Sequence, residues 1–146
     1  MKKILLLSVF SILSLLSFAQ IEVSMDDMRS DWQLIKQENG VEVLVTTIDC
    51  EKGNLEDPFQ YASIKVVNNS DVKMNISFTY ELYYSDGCSG CSGANEYSKQ
   101  IIVEAKSTIL GECSAQSPDN IILLVNPLQT ALTDLNKLVI KEINIK

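Results

Sequence analysis

The chain has 146 residues, with 12 Lys and Arg against 19 Asp and Glu, a net charge of −7 and no histidine. That length suits one domain with a proper core. Arg29 is the only arginine, so there is no basic patch for a nucleic-acid backbone, and the missing imidazole removes most hydrolase and zinc-enzyme constellations.

Met1-Lys2-Lys3 is a positive start, Ile4 to Leu16 a short apolar run, and Ser17-Phe18-Ala19-Gln20 a small-residue cleavage junction, together an export signal over 1–19. The run is too short for a comfortable membrane span, and no later one approaches the roughly 20 residues a spanning helix needs. No cysteine follows the junction, which argues against a lipid anchor. Removing those 19 of 146 residues leaves 127, takes away Lys2 and Lys3, and brings the net charge to about −9. The expectation is a soluble exported protein of bacterial type, periplasmic or extracellular. A lead segment at 20–31 precedes one domain at 32–146.

Strand patterning begins at Trp32. Trp32 to Glu38, Asn39-Gly40 and Val41 to Ile48 form a predicted hairpin, because Asn-Gly supplies the two positive-φ residues of a type I′ turn. A two-residue turn pairs Glu38 with Val41, Lys36 with Val43, Leu34 with Val45 and Trp32 with Thr47. One face then carries Trp32, Leu34, Val41, Val43 and Val45. Asp49 to Pro58 gathers oxygen donors in a loop but lacks EF-hand alternation and includes Lys52, so it reads as a solvated acidic turn rather than a calcium site.

Ala62, Ile64 and Val66 form one apolar face. Val72, Met74, Ile76, Phe78, Tyr80, Leu82 and Tyr84 form another, in the longest alternation of the chain. A three-residue loop, Asn69-Ser70-Asp71, would join them as a hairpin pairing Val66 with Met74 and Ile64 with Ile76. After a Gly/Ser-rich loop from Ser85 to Asn95, Tyr97 to Lys106 reads as a strand with Ile101, Val103 and Ala105 inward. Ile121 to Val125 reads as a strand covered on both faces. Asn126-Pro127 opens a short helix near 127–135, with Leu128, Ala131, Leu132 and Leu135 at helical spacing. The last strand, Leu138 to Ile145, changes phase near Lys141-Glu142, as at a bulge. About seven strands and at most one short helix make an all-β antiparallel β-sandwich, immunoglobulin/fibronectin-like in strand number. No Trp lies between Cys50 and Cys113 as the antibody pattern requires, and no particular family is recognised.

Four cysteines in an exported chain read as two disulfides, and they allow three pairings. Cys88–Cys91 closing a loop with Cys50–Cys113 joining strand ends is favoured, and Cys50–Cys88 with Cys91–Cys113 is the rival. Cys88-Ser89-Gly90-Cys91 also has the form of a redox motif. Its flanks are loop formers, Asp86 opposes a thiolate, and no helix follows, so the staple is the better reading. Zinc ribbons use paired knuckles, whereas Cys50 and Cys113 are isolated, so no metal is assigned. Ser98-Lys99 and Lys106-Ser107 are strand neighbours on opposite faces and cannot act as a Ser–Lys pair. No catalytic residue and no cofactor is assigned. The two Asn-x-Ser patterns at Asn68 and Asn75 carry no weight in a bacterial chain.

The functional expectation is a non-catalytic binding or interaction module for an unknown protein or surface ligand, with no nucleic acid and no membrane span. The candidate contact is the loop bearing Ser85, Asp86, Gly87, Ser89, Gly90, Ser92, Gly93 and Asn95. Tyr83, Phe59 and Tyr61 lie off the inner faces and are weaker pointers to a contact patch. The alternative is an extracytoplasmic thiol–disulfide protein using Cys88 and Cys91.

Overall fold

A computed structural model describes residues 20–50, 59–113, 121–126 and 135–146. The expected leader, the acidic segment at 51–58 and the expected helix at 127–134 lie outside the described residues, and Leu135 opens a strand. In chain order the elements are β1 (Ile21–Ser24), α1 (Met25–Ser30), β2 (Gln33–Glu38), β3 (Val41–Cys50), β4 (Phe59–Asn68) and β5 (Met74–Tyr84). There follow β6 (Gly87–Ser89), a 3₁₀ turn (Asn95–Tyr97), β7 (Ser98–Val103), β8 (Ser107–Leu110), β9 (Ile122–Asn126) and β10 (Leu135–Ile145).

These strands build an all-β sandwich of two five-stranded antiparallel sheets. In the first sheet β1, β10 and β5 lie side by side, and β6 and β7 share the far edge of β5. The second runs β2, β3, β4, with β8 and β9 sharing the far edge of β4. The inner faces interdigitate as period-2 patterning requires: Val43, Val45, Ile64 and Val66 face a core shared with Ile76, Phe78, Leu138 and Ile140. The three short strands β1, β6 and β8 raise the described number to ten. The segment at 20–31 is part of the packing, since β1 pairs with β10 and Met28 on α1 is fully buried. Ser24 caps that helix, its hydroxyl accepting from the Asp27 N–H at 3.1 Å and donating to the Asp27 carboxylate at 2.7 Å.

The Asn39-Gly40 turn forms with φ of 52° and 77°, and Glu38–Val41 and Lys36–Val43 pair as expected. Beyond them the register slips: Leu34 pairs with Leu44 rather than Val45, and the Trp32–Thr47 pair is not formed. Ile35 sits at the slip and is buried, while Leu34 is 53 % exposed. Burial of the β-branched Ile35 side chain rewards the extra residue, and Trp32 instead lies under the Lys65 ammonium, 4.3 Å from its ring centre.

The expected β4–β5 hairpin is also overturned. β4 pairs with β3, placing Val66 opposite Val43 and Ile64 opposite Val45, and β5 lies in the other sheet. Both apolar faces still turn inward, because matching faces can meet across a sandwich as well as within one sheet. The crossover is tied by Asn68, 1 % exposed. Its amide donates to the carbonyls of Val72, Val103 and Glu104 at 2.8, 3.3 and 3.0 Å, and its oxygen accepts from the Ser70 N–H and hydroxyl at 2.9 and 2.7 Å. This burial removes Asn68 from any role as a surface acceptor.

Three side chains depart from their expected places. Val72 is 57 % exposed, because β5 begins only at Met74. Ala105 is exposed in the β7–β8 turn, where Lys106 takes φ 53°. Tyr97 lies in the 3₁₀ turn rather than in a strand. The phase change in β10 is a register shift between Lys141 and Asn144, with Glu142 at φ 54°.

Candidate functional site

Both disulfides of the favoured pairing are closed. Cys50–Cys113 joins the end of β3 to the segment after β8, and Cys88–Cys91 staples the loop after β6, with Cα separations of 5.4 and 5.9 Å. The chain is thus a disulfide-stabilised β module.

β7 pairs with β5 up to Thr79, and β6 takes over from Leu82. In the gap at Tyr80 and Glu81, the segment from Gly90 to Tyr97 crosses the sheet edge. Gly90 has φ 92°, and a Cβ there would lie 2.7 Å from the Tyr80 carbonyl oxygen and 2.8 Å from the Tyr97 ring. Only glycine fits. Tyr97 in turn meets Tyr80 edge to face at 5.4 Å, and the Tyr80 hydroxyl reaches the Glu96 carbonyl at 3.4 Å. Burial, with Tyr97 and Glu96 adding to it, pushes the Tyr80 phenol up from its ordinary pKa.

Between this loop and the β10 bulge lies a cavity of about 330 Å³, lined by Thr79, Tyr80, Glu81, Gly90, Cys91, Gly93, Ala94, Asn95, Tyr97, Ser98, Lys141 and Glu142. That volume lies at the small end for ligand pockets. Of the loop residues expected to meet a partner, Gly90, Gly93 and Asn95 border the cavity; Ser85, Asp86, Gly87, Ser89 and Ser92 do not line it. Ser85 and Asp86 form the turn before β6, which contains Gly87 and Ser89.

Beside the cavity Glu81, 8 % exposed, accepts from the Lys141 ammonium at 2.5 Å and from the Tyr83 hydroxyl at 2.8 Å. Burial pushes its carboxyl up, but these two donors outweigh it and hold the pKa below the ordinary value. The same hydrogen bond raises Lys141 against its own desolvation, and the bond to Glu81 raises Tyr83. The network continues across the outer face, with the Lys137 ammonium 4.9 Å from the Tyr83 ring centre and 2.9 Å from the Glu22 carboxylate. Tyr83 is therefore engaged rather than a free contact aromatic. The Glu81 carboxylate and the sulfurs of Cys88 and Cys91 all lie within 4.8 Å of one another.

Sequence reasoning found the cysteine loop but missed Glu81, Lys141 and Tyr97. Glu81 shows in the sequence only as an acid at an outward position of β5, and Lys141 only as the residue where the last strand changes phase. Their meeting depends on β5 and β10 being neighbours. No protein-family model, curated protein or solved structure matches the chain. No described helix is long and apolar enough to cross a membrane.

Proposed function

We propose that this protein is an exported, non-catalytic β-sandwich binding module that engages a protein or surface ligand through the cavity under the Cys88–Cys91 loop. The observation that carries the reading is that cavity. Beneath a glycine-dependent, disulfide-held loop the cavity gathers the Tyr80 and Tyr97 rings, the Asn95 amide and the Thr79 and Ser98 hydroxyls beside the part-buried Glu81–Lys141 ion pair, and aromatic and polar groups on such a rim suit recognition. Catalysis finds less support, since the Lys141 and Tyr83 donors hold the buried carboxylate ionised rather than poised to exchange a proton near neutrality.

The thiol–disulfide alternative is disfavoured on chemistry. Cys88 lies in a strand, without the helix N-terminus that lowers a thiol pKa, and the Glu81 carboxylate beside both sulfurs opposes a thiolate.

The test is capture from envelope extracts of the source organism by the full mature chain and by Ala94→Trp, which fills the cavity. The expected result is a species retained by the wild type and lost with Ala94→Trp while the circular dichroism is unchanged. Equal retention by both proteins would move the contact elsewhere, and no specific retention would reject the binding reading.

A further inference from the structure

The Glu81 carboxylate lies beside the Cys88 and Cys91 sulfurs, and thiolates with a carboxylate are a donor set that zinc takes. Around tetrahedral zinc, Zn–S bonds of about 2.3 Å and Zn–O bonds of about 2.0–2.2 Å place ligand atoms about 3.5–3.8 Å apart. The three atoms here already fall within 4.8 Å of one another, two from a CxxC loop and one from the neighbouring strand β5. Glu81 is nine-tenths buried, and each of its oxygens is held by one outside donor, Lys141 on Oε1 and Tyr83 on Oε2. Each oxygen keeps a second acceptor direction, and such donors orient a ligating carboxylate from the outer sphere. Gly90 and Gly93 take φ of 92° and 73°, with the Gly93 N–H on the Gly90 carbonyl at 3.1 Å, so the loop that carries both sulfurs reverses on glycines.

We propose that reduction of Cys88–Cys91 converts this staple into a zinc site of two thiolates and the Glu81 carboxylate, with one coordination position left to water. A dithiol supplies the electrons. The S–S bond breaks, each sulfur takes a proton, and the dithiol becomes a disulfide. Zinc then displaces both thiol protons and bonds the two sulfurs and the carboxylate. The oxidised loop cannot bind, because its sulfurs are spent on each other. The site does not rest on the partner-binding reading, which concerns the oxidised chain.

The experiment reduces the full mature chain anaerobically with a phosphine and titrates it with Co²⁺, followed by displacement with Zn²⁺. Oxidised wild type, reduced Cys88→Ser/Cys91→Ser, Glu81→Gln and Tyr83→Phe serve as comparisons, and far-UV circular dichroism checks the fold of each. Reduced wild type should bind one equivalent with a thiolate-to-cobalt absorption band, and the oxidised chain and the double Ser variant should show neither. Glu81→Gln should weaken binding more than about tenfold. Tyr83→Phe, which leaves every ligand in place, should weaken it by about tenfold. Equal binding by the oxidised chain would assign the metal to surface acids and overturn the site. So would an absorption band retained in the double Ser variant, wild-type affinity in both Glu81→Gln and Tyr83→Phe, or a reduced wild type that has lost its strand signal, since the site requires β5 and β6 in place.

Discussion

Two residues show how much a single polar side chain can decide in this sandwich. Asn68 satisfies three carbonyls and two donors at the crossover between the sheets, at 1 % exposure. Truncation strands the buried Val103 carbonyl and loosens the part-buried partners around it, so Asn68→Ala should cost about 1–3 kcal/mol, seen as a lower urea midpoint with an unchanged slope. Glu81 makes the fold sensitive to pH in two directions. Its carboxyl is lowered, so its contribution is present above the ordinary carboxylate pKa and is lost as pH falls through the folded value. Lys141 is raised by the same bond, so its contribution is present below the ordinary lysine pKa and is lost as pH rises through the folded value. Stability should therefore be flat between about pH 5 and 9 and decline on both sides. Glu81→Gln should lower it by about 1–2 kcal/mol near neutrality and flatten both declines, because Tyr83 and Lys141 lose their charged acceptor. Thermal melts across the pH range check this, and a variant with the wild-type profile would dissociate the pair from the effect.

Among elements, the two disulfides are unequal. Cys50–Cys113 closes 63 residues and Cys88–Cys91 only 3. Loop-closure entropy assigns about 4 kcal/mol to the first and about 1–2 kcal/mol to the second. Denaturant titration of Cys50→Ser/Cys113→Ser and Cys88→Ser/Cys91→Ser should rank them in that order. The reverse order would mean that the short staple orders much more than its own loop, which Gly90 against Tyr80 and Tyr97 makes conceivable only through the β5–β6 edge. The β2–β3 hairpin carries a different lesson. Its turn geometry set the first three pairs, and packing of Ile35 then overrode the register that the turn alone would continue.

For the whole molecule, β1 and α1 join the core from one end of the chain and β10 from the other, and β10 pairs with both β1 and β5. Sheets that share one core should unfold together, with tryptophan fluorescence and far-UV circular dichroism giving one midpoint. The proposed export carries a further expectation. The intact mass of the protein purified from its host should correspond to a start at Gln20 and both disulfides closed, and alkylation without reductant should label no thiol. Two or more labelled thiols in fresh protein would remove the staple from the native state and favour the metal-binding form of the loop.

What the sequence determined by itself is local and periodic. Asn39-Gly40 dictated its turn because only two positive-φ residues close such a hairpin, and the alternation from Met74 to Tyr84 dictated which side chains turn inward, because strand side chains repeat every two residues. The bulge at Lys141-Glu142 was legible for the same reason, as a broken period. Which strand lies beside which was not legible: an inward face is satisfied equally by a neighbour in its own sheet or by the opposite sheet, so Val66 could be matched to Met74 on parity and yet pair with Val43. The cysteine pairing and the candidate site belong to that second category. Cys88 reaches Glu81 through the tight β5–β6 turn, whereas Lys141 comes from a strand 60 residues away, and only the tertiary packing that seats β10 on the other edge of β5 completes the group.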